Sequence, residues 1–173
     1  MAATYELIAS NTLGSSAASV TFSSIPATYT DLVLRWSART NLGAQTGQGY
    51  ITLSGDTASN YSHRTVHGNG STASSLNSSS LGYLRIQYAY TGADPTADVF
   101  ANGELYIPNY TGSANKPLSV SVVTENNDTT AYAEANAGLW RNSSAVSSIK
   151  LEETFGSSFV SGSSFFLYGI KNS

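Results

Sequence analysis

The segment Leu32-Val33-Leu34-Arg35-Trp36-Ser37-Ala38-Arg39 sets apolar Leu32, Leu34, Trp36 and Ala38 against Arg35, Ser37 and Arg39. Successive side chains of an extended strand point to opposite faces, so this period of two puts one face in a core and the other toward solvent or a partner. The same style recurs along the chain. It appears at Tyr5 to Ala9, Ser19 to Phe22, Tyr50 to Leu53, Tyr61 to Val66, Leu81 to Tyr90, Val99 to Ile107, Pro117 to Val123, Ala133 to Trp140, Ser147 to Glu152 and Ser164 to Ile170. No window carries apolar residues at i, i+3, i+4 and i+7 over three turns, and the β-branched, aromatic and hydroxyl residues here are poor helix formers. The expectation is an all-β chain with very little helix. About eight to ten short strands at roughly 8–15-residue spacing describe an antiparallel β-sandwich, jelly-roll-like in type.

Turn chemistry separates these runs. Gly14 to Ser16, Ser54-Gly55-Asp56, Asp94-Pro95, Pro108-Asn109, Asn126-Asn127-Asp128 and Gly156-Ser157-Ser158 are rich in residues that reverse the chain. Gly68 to Ser80 is nearly all Gly, Ser, Thr and Asn, with almost nothing to bury, and reads as a mobile surface loop or tip. It is not a domain linker, because strand patterns of one kind lie on both sides of it. A chain of 173 residues falls within the reach of one hydrophobic core, so residues 1–173 are expected to form one domain.

Charge narrows the partners. Charged residues make up 11% of the chain, less than half of the roughly 25% usual in globular domains. Eight Lys and Arg scattered along a chain of net charge −3 form no basic stripe, which argues against nucleic acid. There is no Cys for a disulfide framework or a thiolate nucleophile. The amino-terminal residues show no basic segment before an apolar run, so neither a signal peptide nor a membrane span is expected. Asn-x-Ser/Thr at Asn60, Asn69, Asn77, Asn109, Asn127 and Asn142 is then read as chance in a Ser/Thr-rich chain.

Patterns that could carry chemistry are weak. His63 and His67 would point the same way on a strand, as two metal ligands could, but no third ligand lies nearby in sequence and no metal site is expected. The serines lack a Gly-x-Ser-x-Gly elbow. Paired carboxylates of the glycosidase kind would have to come from Asp94, Asp98, Glu104, Glu125, Glu134, Glu152 and Glu153, which read as solubilising charges. Asp31, Asp56, Asp94 and Asp98 sit among turn residues without a Ca²⁺-loop pattern, and Gly68-Asn69-Gly70 has no Lys and no helix to make a phosphate cradle. No catalytic residue, metal or cofactor is expected, and the chain reads as a non-enzyme.

Aromatic residues are the unusual supply. Eleven Tyr accompany two Trp and six Phe on a surface poor in charge, a composition suited to contact surfaces, because Tyr combines apolar area with a satisfiable hydroxyl. In Phe165-Phe166-Leu167-Tyr168-Gly169-Ile170 both faces are apolar, which implies burial on both sides or a subunit contact. Phe165, Phe166 and Tyr168 are the candidate contact residues.

The opening YELIASNTLGSSAASVTFSSIPATYTDLVLRWSART, the central GELYIPNYTGSANKPLSVSVVTENN, the AGLW at 137 to 140 and the closing FFLYGIKNS resemble small virion structural proteins of tailed bacteriophages, especially those of cyanobacteria and marine bacteria. The resemblance implies a jelly-roll-like capsid decoration, or cement, protein. Such a protein is made in the host cytoplasm and placed on the virion head surface, where it binds the major capsid protein as a homo-oligomer, often a trimer. It implies no nucleic-acid or membrane partner and brings no catalytic residue. The alternative is a receptor- or carbohydrate-binding module of a tail fibre or tail tip.

Overall fold

A computed structural model describes residues 4–127 and 130–171; Asp128 of the Asn126 to Asp128 turn and the last two residues of the closing motif lie outside them. Twelve strands carry the architecture: β1 (Tyr5–Thr12), β2 (Ser19–Phe22), β3 (Asp31–Ala38), β4 (Thr46–Leu53), β5 (Tyr61–Gly68), β6 (Ala73–Leu81), β7 (Leu84–Thr91), β8 (Ala101–Ile107), β9 (Lys116–Thr124), β10 (Tyr132–Trp140), β11 (Ile149–Glu153) and β12 (Ser164–Ile170). None of the described residues is helical. One sheet has eight strands in the order β1-β12-β3-β8-β9-β10-β5-β6, and the other has four in the order β2-β11-β4-β7.

The topology is a jelly roll with an extension. Setting aside β5, β6, β9 and β10, the remaining strands, counted along the chain, run first-eighth-third-sixth in one sheet and second-seventh-fourth-fifth in the other. That is the double Greek-key order of a jelly roll. The hairpins β5–β6 and β9–β10 are inserted between β4 and β7 and between β8 and β11, and both widen the same sheet.

The period of two in β3 sets the core. Leu32, Leu34, Trp36 and Ala38 are buried and meet Leu105 of β8, Leu167 of β12 and Ile51, Leu53, Leu84 and Ile86 of the opposite sheet. Phe159 stands edge-on to Tyr90 at 4.9 Å and to Phe165 at 5.1 Å between ring centroids. Each fully buried side chain of this size contributes about 1.5–3 kcal/mol. Trp36 donates its indole N–H to the Ala89 carbonyl at 3.1 Å and lies over Gly103, where any Cβ would overlap the indole.

Two features depart from the pattern in the sequence. Gly68 to Ser80 is not a loop: the reversal is confined to Asn69–Thr72, where Asn69 Oδ1 accepts the Thr72 N–H at 2.8 Å and Gly70 takes φ +86°, and β6 follows. A strand paired through its backbone to β5 needs no apolar side chain, so its Ser-rich faces gave no period to read. Arg39 does not face solvent with Arg35 and Ser37. The strand ends at Ala38, and the buried guanidinium turns into the loop after β7, donating to the carbonyls of Ala93, Pro95, Thr96 and Val99 at 2.8–3.2 Å.

Candidate contact surface

The widened sheet has an outer face, and its strand register maps that face. One row across it reads Leu7, Tyr168, Val33, Tyr106, Ser119, Ala137, Arg64 and Asn77; the next reads Ser10, Phe166, Arg35, Glu104, Ser121, Ala135, Val66 and Ser75. A third runs from Ser164 through Ser37, Asn102, Val123 and Ala133 to Gly68. The face therefore divides. The aromatic and larger aliphatic side chains Leu7, Phe166, Tyr168, Val33 and Tyr106 all lie on β1, β12, β3 and β8, whereas Ser and Ala, with Val123, pave β9 and β10.

At the aromatic end, Tyr5 and Leu7 are 52% and 55% exposed, while Val33 and Ile170 beneath them are buried. Phe166 and Tyr168 project from this face half-buried. Phe165, their neighbour on β12, points the other way and is fully buried against Phe159, so its bulk serves the core and is not available for contact. The run that is apolar on both faces thus splits its duties, one face to the core and one to the outer surface. Tyr106 donates its hydroxyl to Asp31 at 2.7 Å, and this bond pushes the phenol pKa up to about 12. Charge at this end is self-neutralised: Arg35 Nε donates to Glu104 Oε2 at 2.7 Å across β3 and β8, which raises the Arg35 pKa.

Beyond Glu104 the small side chains leave a trough. It is open to solvent, holds about 740 Å³ and is lined by Ser121, Ala133 and Ala135 together with Val66, Val123 and Ser75. Val66 and Val123 are 61% and 50% exposed. Arg64 and Asn77 border the adjoining stretch. The small Ser and Ala positions alternate along β9 and β10 in the sequence, but a short side chain gives no sign that it lines a hollow.

Buried and half-buried charge has a different task. Asp31 accepts the Asn109 N–H at 2.8 Å; Asp56 accepts the Ala58 N–H and the indole N–H of Trp140; Glu134 accepts the N–H groups of Gln87 and Tyr88; Glu153 accepts those of Phe155 and Ser157. The buried cations answer carbonyls: Arg39 as above, and Lys116 with Gly112 and Ala114, each at 2.6 Å. These side chains fasten loops and bulges to the sandwich. Asp94, Asp98, Glu104, Glu125 and Glu152 stand outside the core.

His63 and His67 share the inner side of β5. His63 is buried, with Nδ1 3.1 Å from Thr65 Oγ1, and burial followed by the nearby Arg85 and Arg64 lowers its pKa. His67 packs edge-on to Tyr88 at 4.9 Å and faces Glu134 across the ladder. Among the described residues, no three His, Cys, Asp or Glu side chains group closely enough to hold a metal ion.

No family model matches the chain, and no curated protein matches it. Among solved structures it is similar to the alginate lyase vAL-1 from Chlorella virus, at 10% identity over 82% of this chain and 76% of that one, with a TM-score of 0.27. A likeness at that score carries no inference about fold or chemistry.

Proposed function

We propose that this chain is a non-catalytic contact protein of a virion, a decoration protein that lies on the outside of the head and stabilises the shell by holding neighbouring copies of the major capsid protein. The carrying observation is the aromatic end of the outer face, where exposed Tyr5 and Leu7 flank Phe166 and Tyr168 and the Arg35–Glu104 ion pair is internal. A face with large apolar area, tyrosine hydroxyls and no net charge suits a protein partner, since aromatic side chains are enriched and charges depleted at interface centres. Nucleic acid would call for unpaired basic side chains here. The buried Asp31, Glu134 and Glu153 and the half-buried Asp56 support a non-catalytic role, because each already accepts a backbone amide. The test is binding of the purified protein to expanded heads that lack it. Binding supports the reading, and failure to bind any head form overturns it.

A second reading has its own observation. The Ser- and Ala-paved trough, bordered by Arg64 and Asn77, offers hydrogen-bonding groups beside small apolar ones, as a neutral glycan would require of a tail-fibre or tail-tip module. A clear hit on a glycan array, with no binding to heads, would favour it over the first.

A further inference from the structure

Each sheet presents two edge strands, and three of the four are guarded. β1 carries a bulge between Leu7 and Ala9 and the Lys171–Glu6 ion pair at 2.9 Å. β2 is four residues long. β7 is bulged between Ile86 and Tyr90, and the carboxylate of Glu134 occupies the N–H groups of Gln87 and Tyr88 there. These are the usual devices that keep an edge from pairing with another chain.

β6 has almost none of them. Ala73 to Leu81 contains no charged residue and no proline, and its irregularity is confined to the far end, between Ser78 and Leu81. Ala73 to Ser78 therefore runs straight along β5, with its other side unpaired. Side chains do little to hold it: apart from half-buried Leu76 and Ser78, that run is exposed on both faces.

We propose that β6 pairs antiparallel with β6 of a second copy of this chain about a twofold axis, joining two eight-stranded sheets into one. In such a pair opposed residues share a face, so their numbers sum to an even value. Centring the axis on Leu76 sets Leu76 against its own copy, Ser75 against Asn77 and Ser74 against Ser78. That register adds one apolar cross-strand pair, hydroxyl–amide and hydroxyl–hydroxyl partners, and no like charges. A second copy fits better than an arbitrary strand because the stretch from Gly68 to Ser80 is wholly uncharged and its short side chains are self-complementary. The joined outer faces would also make the two troughs neighbours. This pairing is independent of what the outer face binds.

Sedimentation of the full chain at about 100 μM, where mass action favours association, tests it directly. The expected result is a dimer that becomes monomeric in the double variant Ser75→Lys, Asn77→Lys, whose lysines would face one another twice across the axis, with the far-UV spectrum unchanged. The absence of Cys makes a second probe clean: Leu76→Cys should oxidise to a disulfide-linked dimer, whereas Ser119→Cys, at mid-sheet, should not. A monomeric parent chain, a trimer, a dimer indifferent to the lysines, or equal cross-linking at both positions would overturn the proposal.

Discussion

The Glu134 carboxylate on β10 crosses the sandwich to accept the backbone N–H of Tyr88 on β7 at 2.9 Å. Its other oxygen takes the N–H of Gln87 at 3.2 Å. Both amides lie where β7 bulges away from β4, so the carboxylate stands in for the missing ladder partner and fastens the small sheet to the widened part of the large one. Glu134→Gln keeps one acceptor and turns an NH₂ toward the other amide. We expect a loss of about 1–3 kcal/mol, the usual cost of a buried unsatisfied donor. In a domain of this length that lowers the melting temperature by about 2–4 °C per kcal/mol.

Trp36 and Gly103 form a second such dependence. The indole occupies the space a side chain at 103 would take and is itself fixed by its bond to the Ala89 carbonyl. Gly103→Ala should cost at least the roughly 1–3 kcal/mol of an overpacked core, and near-ultraviolet circular dichroism should report a displaced tryptophan.

Arg39 organises the loop after β7 through four carbonyls. Lysine has three donors at one point and cannot span them. Arg39→Lys should leave the β-sheet spectrum intact while speeding amide exchange between Ala93 and Val99 by about tenfold or more, equivalent to at least 1.4 kcal/mol of local opening.

His63 gives the fold an acid-sensitive point. Burial holds its pKa below the ordinary 6.5, so the folded state disfavours the proton relative to the unfolded chain. Its contribution is present in full above pH 6.5 and is lost progressively as pH falls from there toward the depressed folded value. The melting temperature should drop between about pH 7 and pH 5, and His63→Gln should flatten that part of the curve.

Much of the sandwich was legible because period-two alternation in β3 and β9 marks which residues enter a core. Where alternation fails, legibility fails too. β6 buries almost no apolar side chain, and its existence depends on the backbone ladder to β5, which the side chains do not announce. Arg39 continued the alternation of β3 in sequence, yet the strand stopped one residue earlier and the carbonyls of a distant loop set its direction. Of the contact candidates, Phe166 and Tyr168 reach the outer face while Phe165 belongs to the core, a split that adjacent aromatic residues cannot reveal without knowledge of which face is inward. Tyr5, Leu7 and Tyr106 join the patch only through strand register, which places segments far apart in sequence side by side.

Contact through the aromatic end of the outer face is decided by comparing two proteins for binding to expanded heads that lack the chain. One is the parent; the other carries Leu7→Ser, Phe166→Ser and Tyr168→Ser, positions adjacent across β1 and β12 and outside the core. The parent should bind, and the folded triple variant should bind at least about tenfold more weakly, as expected when aromatic anchors are removed. Equal binding by the two, or no binding by the parent, would contradict it.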